Sequence, residues 1–219
     1  MKVGIVGTVI SPEELKRRSR GFELWGINNL YSKFQEIPFS RWFEIHEFSC
    51  HEGLFTRRGR PTFGNRTINQ YLKDLDSLKI PIYMRRKFKR IRQSRIFPFR
   101  KIMKKYGSYF GCSMAWMTAM ALDEGAEEIG FFGITLDGNE YYYQRPSVEY
   151  FIGLAKGMGI KIYIDKTCRL LQSNYSYAYK EDYNLVYMLH GEMTKEITEI
   201  VTSAISKKID DIWVHWRKS

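Results

Sequence analysis

Arg41-Trp42-Phe43-Glu44-Ile45-His46 alternates like a β-strand, so Trp42, Glu44 and His46 share one face and His46 stands at the carboxyl end. An imidazole beside a carboxylate is suited to take a proton from a hydroxyl, which makes His46, with Glu44, the candidate general base and Asp137 the reserve. The plain alternative is a hydrogen-bonded histidine that closes a strand. A second kind of chemistry is carried by charge. Between positions 85 and 105 there are eleven Lys and Arg residues and no acid, and they account for the whole net charge of +11. Arg85, Arg86, Lys87, Lys89, Arg90, Arg92, Arg95, Arg100 and Lys101 are its candidate anion-binding members. Concentration of the charge in one segment points to a partner that carries phosphate: a phosphorylated small molecule, a nucleotide or DNA. Phe88, Ile91, Ile96, Phe97, Phe99 and Ile102 punctuate the charges and Pro98 interrupts them. The expectation is a basic flap over residues 85–105, with helical pieces on both sides, lying over a crevice.

The elements that would position these groups read as strand, turn and helix in succession. Val3 to Val6 is a short apolar strand ending in Gly7, and Ser11-Pro12-Glu13-Glu14 opens a helix with a serine cap, a proline in the first turn and early acids. That joint brings the backbone N–H groups from Thr8 to Ser11 to a helix N-terminus, where an anion can be met. Glu23 to Asn28 is a second strand that leaves Asn28 and Asn29 at the carboxyl edge. Thr67 to Leu78 fits an amphipathic helix and Ile80 to Met84 a short strand. Ser113 leads into an apolar helix that should cross the core, and the strand from Glu127 to Ile134 delivers Thr135, Asp137 and Gly138 to the same edge. Gln144 and Arg145 precede a helix from Ser147 to about Met158, followed by a strand to Ile164. Candidate nucleotide or phosphate contacts are therefore Gly7, Thr8, Ser11, Asn28, Asn29, Ser113, Thr135, Gln144 and Arg145. Asp137, Glu140 and Glu44 could hold Mg²⁺ beside a diphosphate, but their spacing does not demand a metal.

This order predicts an α/β, Rossmann-like fold: an open, mostly parallel sheet with helices on both faces, a basic flap and a C-terminal helical extension. Residues 1–171 form the expected nucleotide-binding domain. Residues 172–219 form an extension whose helix, Met193 to Ile209, packs back on the domain or joins two copies as a homo-oligomer. Cys50, Cys112 and Cys168 are odd in number and far apart, which fits a reduced compartment with buried, inert thiols. The chain has no eighteen-residue apolar run, so no membrane partner is expected and the location expected is cytoplasmic.

Several segments resemble a group of small phage-encoded Rossmann-like proteins. They are Val3-Gly4-Ile5-Val6-Gly7 with Ser11, Trp25-Gly26-Ile27-Asn28-Asn29-Leu30-Tyr31, Arg41 to His46, Tyr109-Phe110-Gly111-Cys112-Ser113, Gly125 to Gly130 and Tyr142 to Tyr150. More remotely, the order of elements is similar to the fold of 6-hydroxymethylpterin pyrophosphokinase-like proteins and of bacterial sialyltransferases that use CMP-sialic acid. That resemblance implies Gly7, Thr8 and Ser11 near a donor phosphate, Asn28 near base or ribose, and a transferase that uses an activated nucleotide or nucleotide sugar. Ile10 and Thr8 stand where that pattern has proline and asparagine, and its late catalytic histidine has no equivalent here, so a sialic acid donor is not implied. The leading expectation is a nucleotide-dependent group transferase, glycosyl- or phosphoryl-type, acting on nucleic acid or a phosphorylated acceptor. If phage-encoded, it would work in the host cytoplasm. A non-catalytic nucleotide sensor or sponge, or a DNA-binding module, remains the alternative.

Overall fold

The computed structural model describes residues 1–46, 49–51, 54–57, 60–61, 68–137, 143–172, 194–195, 197–200 and 202–203. The chain divides into two compact units, Met1–Leu171 and Gln172–Ser219.

The first unit is built on seven strands: β1 (Lys2–Val6), β2 (Glu23–Ile27), β3 (Phe39–Glu44), β7 (Ile82–Met84), β8 (Ser94–Ile96), β9 (Glu128–Phe132) and β10 (Lys161–Ile164). They pair in the order β10-β9-β1-β2-β3-β7-β8, and every pairing is parallel, where the sequence had led us to expect a mostly parallel sheet. Buried on both sides, β1 and β9 are runs of apolar residues and glycine rather than alternating ones. From β1 the chain steps one way through β2 and β3 to the edge strand β8, then returns across the sheet to β9 and on to β10. By the right-handed rule for parallel crossovers, the two opposite directions of travel assign α1 (Pro12–Arg18) and α2 (Ile68–Ser77) to one face and α4 (Ser113–Asp123) and α5 (Arg145–Gly157) to the other. The fold is thus an open α/β sheet of Rossmann type, with its switch point between β1 and β9.

Local chemistry accounts for the elements around that switch. Ser11 caps α1, its hydroxyl accepting the Glu14 N–H at 3.2 Å, with Pro12 in the first turn and Glu13 and Glu14 complementing the helix dipole. α4 is apolar nearly all round because it packs on β1, β3, α3 (Phe99–Tyr106) and α5. Beyond β10, the buried Asp165 receives the Arg18 guanidinium at 2.9 Å and the amide and hydroxyl of Thr167 at 2.9 and 2.6 Å. Thr167 Oγ1 in turn accepts the Gly133 N–H at 3.0 Å, so this clip fastens α1, the end of β10 and the turn after β9 together.

Three features depart from the sequence reading. The basic stretch is not a flap over the crevice: its middle is the edge strand β8 and its end is helix α3. Within that charged run Ser94 is buried while Arg95 and Ile96 are exposed, and the three are recruited into the sheet by pairing with β7, which no local periodicity announces. His46 lies two residues past the end of β3 rather than inside it. No strand is read from the sequence between β3 and α2, yet a small antiparallel sheet forms there from β4 (Ser49–His51), β5 (Leu54–Arg57) and β6 (Arg60–Pro61).

In the second unit, residues 194–195, 197–200 and 202–203 are helical. The Thr198 and Thr202 hydroxyls donate back to the carbonyls four residues earlier, both at 2.7 Å. The rest of the expected C-terminal helix, Gly138 and Glu140 lie outside the described residues.

Candidate functional site

A crevice of about 360 Å³ opens at the carboxyl ends of β1, β2, β3 and β9, where an open parallel sheet presents its ligand site. Its floor is a close backbone approach. The Gly7 N–H donates to Phe132 O at 2.7 Å and the Val9 N–H to Gly133 O at 3.0 Å, and Gly133 holds a left-handed φ of +66° beneath Ile10. Two non-glycine residues that line the crevice, Asn28 (φ +51°) and Leu136 (φ +50°), are also left-handed, at a cost of order 1 kcal/mol each.

Asn28 is pinned through its backbone: its N–H donates to Phe43 O at 3.0 Å and its carbonyl accepts the Trp42 indole N–H at 2.8 Å. Its side-chain Oδ1 is buried and accepts no hydrogen bond among the described residues. A buried amide oxygen left unmet costs about 1–3 kcal/mol, which a ligand donor would recover.

His46 enters the crevice from the end of β3, with about 30% of its side chain exposed. Its Nδ1 lies 2.7 Å from Oε1 of Glu44, and its backbone N–H donates to the same oxygen at 3.3 Å. The other Glu44 oxygen accepts the Tyr71 hydroxyl from α2. Glu44 is fully buried, so it holds the imidazole with Nδ1 protonated and Nε2 free to accept.

Opposite in chemistry is the start of α4, where Gly111, Cys112, Ser113 and Met114 line the crevice. Cys112 makes no capping hydrogen bond there and only its neutral thiol lies against the Ala115 and Met114 amides, so the positive end of an eleven-residue helix dipole is open to an anion. The approach is fixed from α5: Ser147 Oγ accepts the Gly111 N–H at 3.0 Å and donates to Gln144 O at 2.8 Å. A Cβ at Gly111 would lie 2.9 Å from that same oxygen, so only glycine fits. Burial pushes the Cys112 thiol up, against the pull of the Ala115 and Met114 amides. Phe110 and Trp116 stack at 3.6 Å with planes 6° apart and give the crevice a flat aromatic wall.

Of the expected nucleotide contacts, Gly7, Thr8, Asn28, Ser113, Thr135 and Gln144 line this crevice. Ser11 does not, its hydroxyl oxygen standing at the cap of α1, and Gly7 and Val9 have already given their N–H groups to Phe132 and Gly133. Asn29 is exposed outside it, its carbonyl accepting the Ser32 hydroxyl at 3.0 Å. Arg145 turns to Glu149 at 2.8 Å. Asp137 is exposed and pairs with Arg169 at 3.3 Å, away from the lining. Arg85, Arg86, Lys87, Lys89, Arg90, Arg92, Arg95, Arg100 and Lys101 are all exposed and none lines the crevice. Arg92 reaches Asp76 at 3.4 Å and Lys101 reaches Asp123 at 2.6 Å. Glu44 and Asp137 have partners, and among the described residues no group of three or more His, Cys, Asp or Glu could hold a metal ion. No helix among them is long and apolar enough to cross a membrane. Missed by the sequence reading were Tyr71, whose position on the apolar stripe of α2 reads as core, and the lining contributions of Phe110, Cys112, Trp116 and Gly133.

No protein-family model and no curated protein matches the chain. It is remotely similar to solved structures of the sialyltransferase CstII. One, in complex with trisaccharide acceptor and CMP, is 17% identical over 75% of this chain and 80% of that chain, with a TM-score of 0.47. Another, from Campylobacter jejuni in complex with the substrate analogue cytidine-5'-monophosphate, is 17% identical over 80% of this chain and 88% of that chain, with a TM-score of 0.47.

Proposed function

We propose that the chain is a nucleotide-dependent group transferase, with an activated nucleotide such as a nucleotide sugar bound in the crevice at the switch point. The observation that carries this reading is the meeting, in one crevice, of a buried unpartnered Asn28 Oδ1, the uncapped start of α4 and the His46–Glu44 pair. Asn28 accepts a hydrogen bond from the base or ribose. The first turn of α4 faces the phosphate, and the Phe110–Trp116 wall covers a ring.

The reaction follows from those placements. An acceptor hydroxyl gives its proton to Nε2 of His46, and its oxygen bonds to the transferred group as the bond from that group to the nucleotide phosphate breaks. Negative charge gathered on the departing phosphate is met by the N–H groups and dipole of α4. Glu44 keeps the imidazole in the accepting tautomer and stabilises the imidazolium that forms.

Nucleic acid is the finer acceptor proposal, resting on the exposed cations of β8, α3 and the preceding turn rather than on any group in the crevice. A phage origin would suit such an acceptor. Titration of DNA against salt tests it: affinity falling steeply with salt fits phosphate contacts at that edge, and a flat response removes it.

The transferase reading is tested by a thermal-shift screen of nucleoside mono-, di- and triphosphates and nucleotide sugars, followed by turnover of any hit with His46→Gln. The variant should keep ligand affinity and lose about 100-fold or more in turnover. A wild type that binds a nucleotide without turning it over supports the sensor or sponge instead, and one whose melting temperature no nucleotide raises ends both.

A further inference from the structure

The crevice has a deficit of cationic side chains: among its described lining residues there is no lysine or arginine, and the eleven basic residues of 85–105 lie elsewhere. One cation does reach its rim. Lys33 follows directly on the turn Leu30–Ser32, whose first residue, Leu30, lines the crevice. Its Nζ donates to the carbonyl oxygen of Thr8, another lining residue, at 2.5 Å. The ammonium also lies 5.4 Å from the centre of the Phe34 ring, which holds the flexible stem against the turn.

What Lys33 touches is as informative as where it stands. An ammonium has three donors, and the carbonyl takes one without cancelling any charge. Glu36, the nearest acid in sequence, is occupied by Lys16 at 2.9 Å, and Lys33 has no carboxylate partner among the described residues. The exposed lysines at 101 and 105 are by contrast both matched by Asp123. A lysine held to a neutral oxygen beside a cavity keeps its full charge for an anion that arrives there.

We infer that Lys33 is the cation this crevice presents to the phosphate of its ligand, an inference that rests on the nucleotide reading of the site. Its ammonium is anchored on Thr8 and bonds the phosphate when a nucleotide is bound, on the same anion that meets the start of α4. The other basic residues among those described are not needed for that contact.

The test compares calorimetric titrations of the four ribonucleoside diphosphates and their parent nucleosides into wild type, Lys33→Met and Lys33→Arg. Lys33→Met should weaken diphosphate binding about tenfold or more while leaving the nucleoside unchanged, and Lys33→Arg should restore most of the loss. Lys33 is exposed, and an unchanged melting temperature of the ligand-free variant verifies that the fold is intact. If wild type binds diphosphates and Lys33→Met binds them equally well, the Lys33 inference falls alone. An equal loss for nucleoside and diphosphate also overturns it. If wild type binds no phosphorylated nucleoside, the nucleotide reading fails and Lys33 goes with it.

Discussion

Gly7 and Gly133 meet so closely that a Cβ on Gly7 would lie 2.4 Å from the Gly133 carbonyl oxygen. The obstacle is backbone, held in turn by the hydrogen bonds of Gly7 and Val9 to β9, and it cannot swing aside as a side-chain tip would. Gly7→Ala should therefore destabilise the protein by about 1–3 kcal/mol through overpacking and widen the floor of the crevice. Chemical denaturation measures the first effect. The second appears as a loss of ligand affinity in the folded variant.

Tyr71 gives its hydroxyl to the same buried carboxylate that holds His46. Tyr71→Phe leaves one Glu44 oxygen short of a donor and should cost about 1–3 kcal/mol of stability. Glu44→Gln removes the carboxylate that orients the imidazole. Its turnover should fall by at least about tenfold with little change in the apparent substrate constant, the pattern expected of a positioning residue. A stability loss in both variants with unaltered turnover would give this network a purely structural role.

Asp165 supplies the pH dependence. Burial works to raise its pKa, but the Thr167 hydroxyl and amide and the Arg18 guanidinium outweigh that and hold it below the usual carboxylate value. A group whose folded pKa is lowered contributes stability that is present above its unfolded pKa, about 3.9, and lost as pH falls through the folded value. The stability gap between wild type and Asp165→Asn should be widest near neutrality and close as pH drops below about 4. Urea denaturation at several pH values reads it directly.

Cys112 and Cys168 should separate by reactivity. Burial pushes both thiols up, Cys168 to about 11, and Cys168 is enclosed, while Cys112 lines the crevice. Peptide-resolved alkylation with iodoacetamide should label Cys112 slowly at neutral pH, faster as pH rises, and before Cys168. A ligand seated at the start of α4 should protect Cys112.

Much of the frame was legible because it is written in local signals. The apolar runs at Val3 to Val6 and Ile129 to Phe132, the Ser11-Pro12-Glu13-Glu14 start and the all-round apolar α4 each carry their own pattern. Asn28 and His46 were legible as strand-end positions. What escaped depends on distant partners. β8 is a strand because β7 pairs with it, and Tyr71 and Lys33 acquire their contacts from residues 27 and 25 positions away. The basic run was conspicuous in sequence, yet charge alone does not say which edge of a sheet it will occupy. Ser11 shows a further limit: the residue that makes a good cap also makes a good anion ligand, and sequence alone does not say that this one stands at the cap of α1, outside the crevice lining.

The crevice walls come from residues as far apart as Gly7 and Gln144, contributed by both wings of the sheet. A cavity assembled from such remote segments has no counterpart in a chain that has closed only one wing, so its occupant is blind to partly folded forms. Any tight ligand would then act as a folding chaperone, raising the yield of intact protein and drawing weakened variants back toward the native population.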